Sequence, residues 1–434
     1  MKIGIRAEDK SPWERRTPLV PDDIRTLIAT GADIVVQSSP QRAFEDAEFA
    51  DAGIPVRADL DDRDLIIGIK EIPADAFRPD NVYLFFAHVI KGQPNNMPML
   101  RRMMAQRSTL VDYERIVDDQ NRRLIFFGRH AGLAGMINTL WALGQRASVE
   151  GIANPFADIR QARTYPDLEA AKTAIRKAGR AIESDGAPEA LHPLVFGFAG
   201  YGNVSQGAQE LFDLLPHVTV EPEDLAGAAD AACVADNVLV KVVFREKDVV
   251  RPRDPNAAFD LDDYYRFGAD RYESRFDDYI DHLSVLINCN YWDSRYPRLL
   301  TAAQCRRLWA GEQSPRLRVI GDISCDPDGA VQCTVRPTDP GNPVYVYNPE
   351  TGDTTDGFAG HGPVVMAVEI LPTEIPRESS VDFSRVLSGF IPALIRADYT
   401  RPFEDLALPP ELKRAMILYH GALTPAYDYL QAHI

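Results

Sequence analysis

LVFGFAGYGNVSQGAQELF, Leu194 to Phe212, joins a buried-strand run to a glycine-rich turn and then to a helical stretch. A pyrophosphate can lie close to the backbone only where side chains are missing, and the free N–H groups opening the helix attract its charge. That order of elements suits a dinucleotide, with Gly200, Tyr201, Gly202, Asn203 and Val204 as the expected contacts. The third glycine of G-x-G-x-x-G is Ser205, with Gly207 two positions later, so the bare pattern is imperfect. Without a ligand the same stretch is a tight strand-to-helix turn, and its context favours the binding reading.

About twenty residues further on, a second strand, HVTVE, ends at Glu221. An acid there can bond the adenosine ribose hydroxyls, as in NAD enzymes. Glu221 can equally belong to an acidic loop with Glu223 and Asp224.

Outward from this motif, 434 residues with 45% hydrophobic content suffice for two packed domains. The opening MKIGIRA alternates like a strand and lacks the apolar core of a secretory signal, and no apolar run reaches bilayer-spanning length. A cytoplasmic protein without membrane contact is expected. The five cysteines are scattered and form no Cys-x-x-Cys, so neither a disulfide framework nor a metal site is expected. A formal charge of −17 disfavours nucleic acid as a partner, and local arginines remain available for an anionic substrate.

Residues 1–130 alternate strand and helix: KIGIR, a helix after Pro21, DIVVQ, a helix over AFEDAEFADAG, DLIIGIK, NVYLFFAH, a helix over PNNMPMLRRMMAQR, then STLVDYE. The polar turn Asp118-Asp119-Gln120-Asn121 before RRLIFFG predicts a hairpin with a return strand on the same sheet. The small apolar stretch AGLAGMINTLWALGQRASVE predicts a helix joining two domains, with a boundary near Leu140. Residues Val250 to Asp281 lack periodicity and predict a long functional or interface loop. Two helices, VDFSRVLSGFIPALIRA and ELKRAMILYHGAL, are expected to close the chain.

Lys70 follows the apolar strand Leu65 to Ile69, and His88 follows Tyr83 to Ala87, so both emerge at strand carboxyl ends, where open α/β sheets bind ligands. Singly, the lysine reads as solvated and the histidine as structural. As a pair they suit amine chemistry, since neighbouring cations lower each other's pKa and leave one as a base near neutrality. Glu71 and Glu114 can oppose that shift and are grouped with the substrate contacts. Arg16 and Arg123 can hold carboxylates bidentately, or can pair with Glu14 and Asp119.

Taken together these segments resemble the alanine dehydrogenase and saccharopine dehydrogenase superfamily, and within it the lysine–2-oxoglutarate reductase part of bifunctional aminoadipic semialdehyde synthases. The likeness runs nearly end to end through Arg6 to Lys10, WERRTPLVP, GIKEIP, FFAHVIKGQPNNM, LVDYERIVDDQNRR, FFGRHAGLAGMIN, AGYGNVSQGAQ, INCNYWDSRYPRLLT and GDISCDPDGAVQCT, in one order. It implies an α/β fold of two Rossmann-like domains, each a mostly parallel sheet flanked by helices, with a cleft between them. Residues 1–139 with 365–434 would bind substrate, and 140–364 the dinucleotide.

The resemblance further implies reductive condensation of L-lysine with 2-oxoglutarate to saccharopine. In it Lys70 and His88 are the acid–base pair, Arg16 and Arg123 the carboxylate ligands, Phe127 a neighbour of the substrate, and Asp322 the acid facing the nicotinamide. Glu221 fits NAD, whereas the relatives by overall motif are typically NADP-linked, so either dinucleotide is expected. The chain ends where the bifunctional relatives continue, which assigns any glutamate-releasing step to another protein. Competing readings are another amino-acid or opine dehydrogenase on this scaffold and a catalytically silent nucleotide-binding regulator. Intact Lys70, His88, Arg16 and Asp322 argue against the regulator.

Overall fold

The computed structural model of the protein describes residues 1–230, 233–311 and 315–434. The chain divides into two compact units, residues 1–127 with 376–434, and residues 128–375. Leu140, where the sequence suggested a boundary, lies inside one continuous helix of the second unit.

In the first unit, β1 (Lys2–Ile5), β2 (Asp33–Gln37), β3 (Val56–Arg57), β4 (Leu65–Ile67), β5 (Val82–Phe85) and β6 (Thr109–Asp112) pair in parallel. β4 and β5, LII and VYLF, are buried at every position, the pattern of strands covered on both faces. The crossovers include α1 (Pro21–Ala29), α2 (Asp46–Asp51) and α3 (Met97–Ala105). Proline opens α1, where its missing N–H is no loss.

The second unit begins with α4 (Gly128–Val149) and α5 (Leu168–Asp185). Asp167 caps α5 by accepting the Ala170 N–H at 2.8 Å. Then come β7 (Val195–Ala199), α6 (Asn203–Phe212), β8 (His217–Val220), β9 (Leu239–Phe244), β10 (Val250–Pro252), β11 (Tyr272–Ser274), β12 (Val285–Asn288), β13 (Val319–Asp322), β14 (Val344–Tyr347), β15 (Thr354–Asp356) and β16 (Val364–Met366). After residue 375 the chain returns to the first unit and adds β17 (Met416–Tyr419) and β18 (Ala422–Leu423).

The two main sheets run β18-β17-β6-β5-β4-β1-β2-β3 and β15-β14-β16-β13-β12-β7-β9-β8. In both, the chain winds first to one side of its opening strand and then to the other. This puts a topological switch point at β1 in one sheet and at β7 in the other, where crevices form outside the carboxyl ends of strands. The expectation of two mostly parallel, helix-flanked sheets is met; the antiparallel strands are confined to the β17-β18 end and to β14 and β15.

Helices α4 and α6 approach through glycines. A Cβ on Gly132 would lie 1.9 Å from the Val204 carbonyl oxygen, and one on Gly207 would lie 2.1 Å from that of Arg129. Phe212 on α6 packs against Phe196 and Phe198 of β7, with ring centroids 4.8 and 5.4 Å apart. These contacts fasten α6 against β7 at one end and against α4 along its length.

Three expectations are corrected. RRLIFFG forms no return strand: only an isolated Val117–Arg123 bridge remains, because the open side of β6 is taken by β17. ELKRAMILYHGAL is helical only over Pro410–Ala415, and its apolar remainder, MILY, becomes β17, buried throughout. Residues Val250 to Asp281 are a folded insert in which β10 pairs antiparallel with β11 and the helix Leu261–Phe267 lies between them in sequence. Its small core of Val250, Tyr264 and Tyr272 is mostly tyrosine, which hides it from a reading based on aliphatic periodicity.

Candidate active site

At the carboxyl edge of the first sheet, Lys70 and Glu71 follow β4 and His88 follows β5. Glu8, just past β1, is buried, and its carboxylate accepts the backbone N–H groups of Ile69 at 2.7 Å and Lys70 at 2.9 Å. Burial pushes this carboxyl up to about 7, against the pull of Arg6. Beneath it, the Tyr113 hydroxyl donates to the Gly68 carbonyl at 3.0 Å. The Gly68–Lys70 segment is thus held by Glu8 through two amides and by Tyr113 through one carbonyl.

His88 Nδ1 lies 2.8 Å from Glu71 Oε1. Burial works to raise the Glu71 carboxyl, but the hydrogen bond and charge of His88 hold it down at about 2. Lys10 adds a longer contact, 3.8 Å to the other Glu71 oxygen. His88 has φ +48°, and its carbonyl accepts from Asn96 Nδ2 at 2.9 Å. An ionised Glu71 assigns the ring proton to Nδ1 and leaves Nε2 for exchange with a ligand.

Arg16 is 4% exposed, and its Nε and Nη2 bond Glu14 at 2.8 and 2.5 Å. Its guanidinium also sits over Phe127, 4.1 Å from the ring centroid, and Phe127 stacks on Phe383 at 4.6 Å. Arg16 and Phe127 are therefore brought together, with Glu14 as the internal partner of the arginine. Arg123 is exposed and pairs with Glu114. Asp112, at the end of β6, is fully buried and accepts from the amides of Ala87 at 3.2 Å and Glu114 at 2.8 Å; burial raises its carboxyl.

In the second unit the glycine turn follows β7. Gly200 has φ +100°, a conformation side chains resist, and a Cβ there would meet Asn290 Oδ1 at 2.6 Å. Gly202 caps α6 without a side chain, and a Cβ on it would meet nothing within 4 Å. Asn203 and Val204 open the helix. The turn therefore offers helix N–H groups beside open space, which fits the pyrophosphate of a dinucleotide. Ser205 is buried and accepts from Gln209 Nε2 at 2.9 Å. The close approach usually made by the third glycine falls to Gly207 instead.

Glu221 is exposed at the end of β8, with β9 between it and the turn. On the other side of β7, Asp322 at the end of β13 is 1% exposed. It accepts from Asn288 Nδ2 at 2.8 Å, Thr334 Oγ1 at 2.5 Å and the Cys325 N–H at 3.1 Å, and burial raises its carboxyl to about 6. Among the described residues, no cluster of His, Cys, Asp and Glu could hold a metal, and no helix is long and apolar enough to cross a membrane.

Glu8, Asp112 and Asn288 were not singled out from the sequence. The available signal for Glu8 was its position just past the switch-point strand of the first sheet. Asp112 and Asn288 close strands β6 and β12, a polar ending on a buried run.

Comparisons with known proteins agree with this architecture. Residues 4–134 match the family described as alanine dehydrogenase/PNT, N-terminal domain. Over 99% of its length the chain is 40% identical to an alpha-aminoadipic semialdehyde synthase of Arabidopsis thaliana and 34% identical to a mitochondrial one of Bos taurus. It spans 41% and 47% of those proteins, less than half of each. It is 28% identical to a saccharopine dehydrogenase [NAD(+), L-lysine-forming] of Yarrowia lipolytica, covering 96% of both chains. Among solved structures, an L-alanine dehydrogenase aligns over 100% of this chain and 99% of its own at TM-score 0.62 and 16% identity, a likeness of fold. Residues 4–134 thus match the alanine dehydrogenase/PNT N-terminal domain family, and nearly the whole chain is similar in sequence to alpha-aminoadipic semialdehyde synthases and L-lysine-forming saccharopine dehydrogenases.

Proposed function

We propose that this chain is a nicotinamide-dependent oxidoreductase of CH–NH bonds that condenses L-lysine with 2-oxoglutarate and reduces the product to saccharopine. The observation that carries the reading is the strand-end cluster of Lys70 and the Glu71–His88 pair, at the switch point of the first sheet, in a homologue of L-lysine-forming saccharopine dehydrogenases. In this reading residues 1–127 with 376–434 bind the substrates, and 128–375 bind the dinucleotide.

Imine formation needs a base to free the lysine ε-amine and an acid to protonate the departing hydroxyl. His88, held through Nδ1 by Glu71, exchanges protons at Nε2, and Lys70, on its peptide pinned by Glu8, is the second proton carrier. Saccharopine carries three carboxylates, and Arg16 and Arg123 are cations for them. Phe127 keeps the Arg16 plane fixed. Bound at Gly200–Val204, the nicotinamide dinucleotide supplies the hydride. Either NAD or NADP is compatible with this turn. In this reading Glu221 serves the adenosine half and Asp322 the nicotinamide half, a split supported by β8 and β13 lying on opposite sides of β7, beyond β9 and β12. The small-molecule partners are lysine, 2-oxoglutarate and saccharopine, and a cytoplasmic setting is part of the proposal, although the Bos taurus relative is mitochondrial by name.

The test is nicotinamide absorbance with saccharopine, with lysine plus 2-oxoglutarate, and with pyruvate plus ammonia, each with both dinucleotides. Turnover with the first two pairs alone is expected. Turnover with pyruvate and ammonia alone would sink the reading.

A further inference from the structure

The insert 250–281 leaves β9 through Arg245 and Glu246, on the β8 side of the glycine turn. Glu246 is its junction with that turn: the Tyr265 hydroxyl, on the helix Leu261–Phe267, donates to Glu246 Oε1 at 2.6 Å, and the Tyr201 hydroxyl, between the two glycines, lies 3.5 Å from the same oxygen. The exposed Arg245 guanidinium lies over the Tyr201 ring, 5.4 Å from its centroid. Tyr201 and Tyr265 are 43% and 46% exposed, so both rings keep surface available to a ligand. The insert also reaches the end of β8: its Arg275 and Tyr279 wall a cavity of about 490 Å³ whose other side is Pro222, Glu223 and Ala226. One folded element therefore spans from the dinucleotide turn to the residues just past Glu221.

Glu246 cannot serve a phosphate, since it is an anion occupied by tyrosine hydroxyls; its part is to fasten the insert. Arg245 has the opposite chemistry. It is a planar cation held beside the turn on an aromatic ring, suited to bidentate contact with a phosphate.

Resting on the dinucleotide reading above, we propose that the insert forms a binding subsite for the adenosine half of the cofactor, in which Arg245 takes a phosphate of that half and the Tyr265–Glu246–Tyr201 contacts hold the subsite against the glycine turn. The phosphate is either the pyrophosphate or a ribose 2′-phosphate, and fragment binding separates them.

Calorimetry on the full chain would measure ADP-ribose, 2′-phospho-ADP-ribose and nicotinamide mononucleotide against wild type, Arg245→Gln and Tyr265→Phe. Tyr265→Phe should weaken both adenosine fragments, and Arg245→Gln at least the 2′-phosphorylated one, about tenfold, with nicotinamide mononucleotide staying within about twofold. If Arg245→Gln weakens both adenosine fragments equally, its partner is the pyrophosphate; if it weakens only the 2′-phosphorylated one, its partner is that group. Adenosine fragments bound as tightly by both variants as by wild type, or all three fragments weakened alike, would overturn the subsite while the dinucleotide reading stands. A wild type that binds neither fragments nor whole dinucleotide would overturn both.

Discussion

The Glu8 carboxylate accepts the backbone N–H of Lys70 at 2.9 Å, linking the end of β1 to the residue just past β4. It also accepts the Ile69 N–H, so Glu8→Gln, with one acceptor oxygen, leaves one of two amides unmatched and should cost about 1–3 kcal/mol. Burial lifts the folded carboxyl from 4.5 to about 7, so between those pH values the folded chain keeps a proton that the unfolded chain has released. The stabilisation is full below pH 4.5 and is lost as pH rises through 7. The thermal midpoint should therefore fall across that range, and fall less steeply in Glu8→Gln. An identical slope in the two proteins would remove Glu8 as its source.

Lys70→Met keeps a chain of similar length and removes the amine. If Lys70 carries protons during imine chemistry, kcat should fall by about 10²–10⁴ while dinucleotide affinity changes little. Steady-state rates together with dinucleotide titration separate the two, and an unaltered kcat would take Lys70 out of the mechanism.

His88→Gln should lower kcat on the same scale, and it carries a second, independent signature. Despite burial, His88 holds the folded Glu71 carboxyl near 2, below its ordinary 4.5. A depressed carboxylate stabilises the fold above pH 4.5, and that contribution is lost as pH falls toward 2. Replacing His88 should shrink the loss, so wild type and variant should differ more in stability at pH 5 than at about pH 3. Parallel stability curves across that interval would contradict the pairing.

Arg16→Lys preserves charge and loses geometry. The guanidinium bonds Glu14 through two nitrogens while its carbon sits 4.1 Å from the Phe127 ring centroid, and an ammonium cannot make that forked pairing. A rise of about tenfold in KM for 2-oxoglutarate, with a smaller change in kcat, is the expected result in initial-rate assays. A variant with wild-type KM would assign Arg16 to structure alone.

What was legible in the sequence follows from how local each signal is. The turn at Gly200–Gly202 was readable because a strand, a positive φ and a helix start are encoded within a few adjacent residues. The strand-end positions of Lys70 and His88 were readable from apolar runs that stop abruptly. Glu8 was not, because its partners are amides 61 and 62 residues away, and nothing near Glu8 marks them. β17 was misread as helix because MILY continues the apolar face of Pro410–Ala415, and only the unfilled side of β6 makes it a strand. The insert was misread because Tyr264 and Tyr272 build its core with polar-tipped rings.

Gly202 and Gly207 separate binding from packing within one helix. A Cβ at Gly207 would lie 2.1 Å from a backbone oxygen of α4, so Gly207→Ala forces the helices apart and should destabilise the second unit by about 1–3 kcal/mol or more. A Cβ at Gly202 meets nothing, and its φ of −75° suits alanine, so Gly202→Ala should cost the fold well under about 1 kcal/mol. The open space beside Gly202 is where a pyrophosphate would approach the helix amides, and a methyl group there obstructs it. Gly202→Ala should then weaken NAD(H) or NADP(H) binding about tenfold or more at nearly unchanged urea midpoint, the reverse of the balance expected for Gly207→Ala. Tight dinucleotide binding by Gly202→Ala would move the pyrophosphate away from this turn.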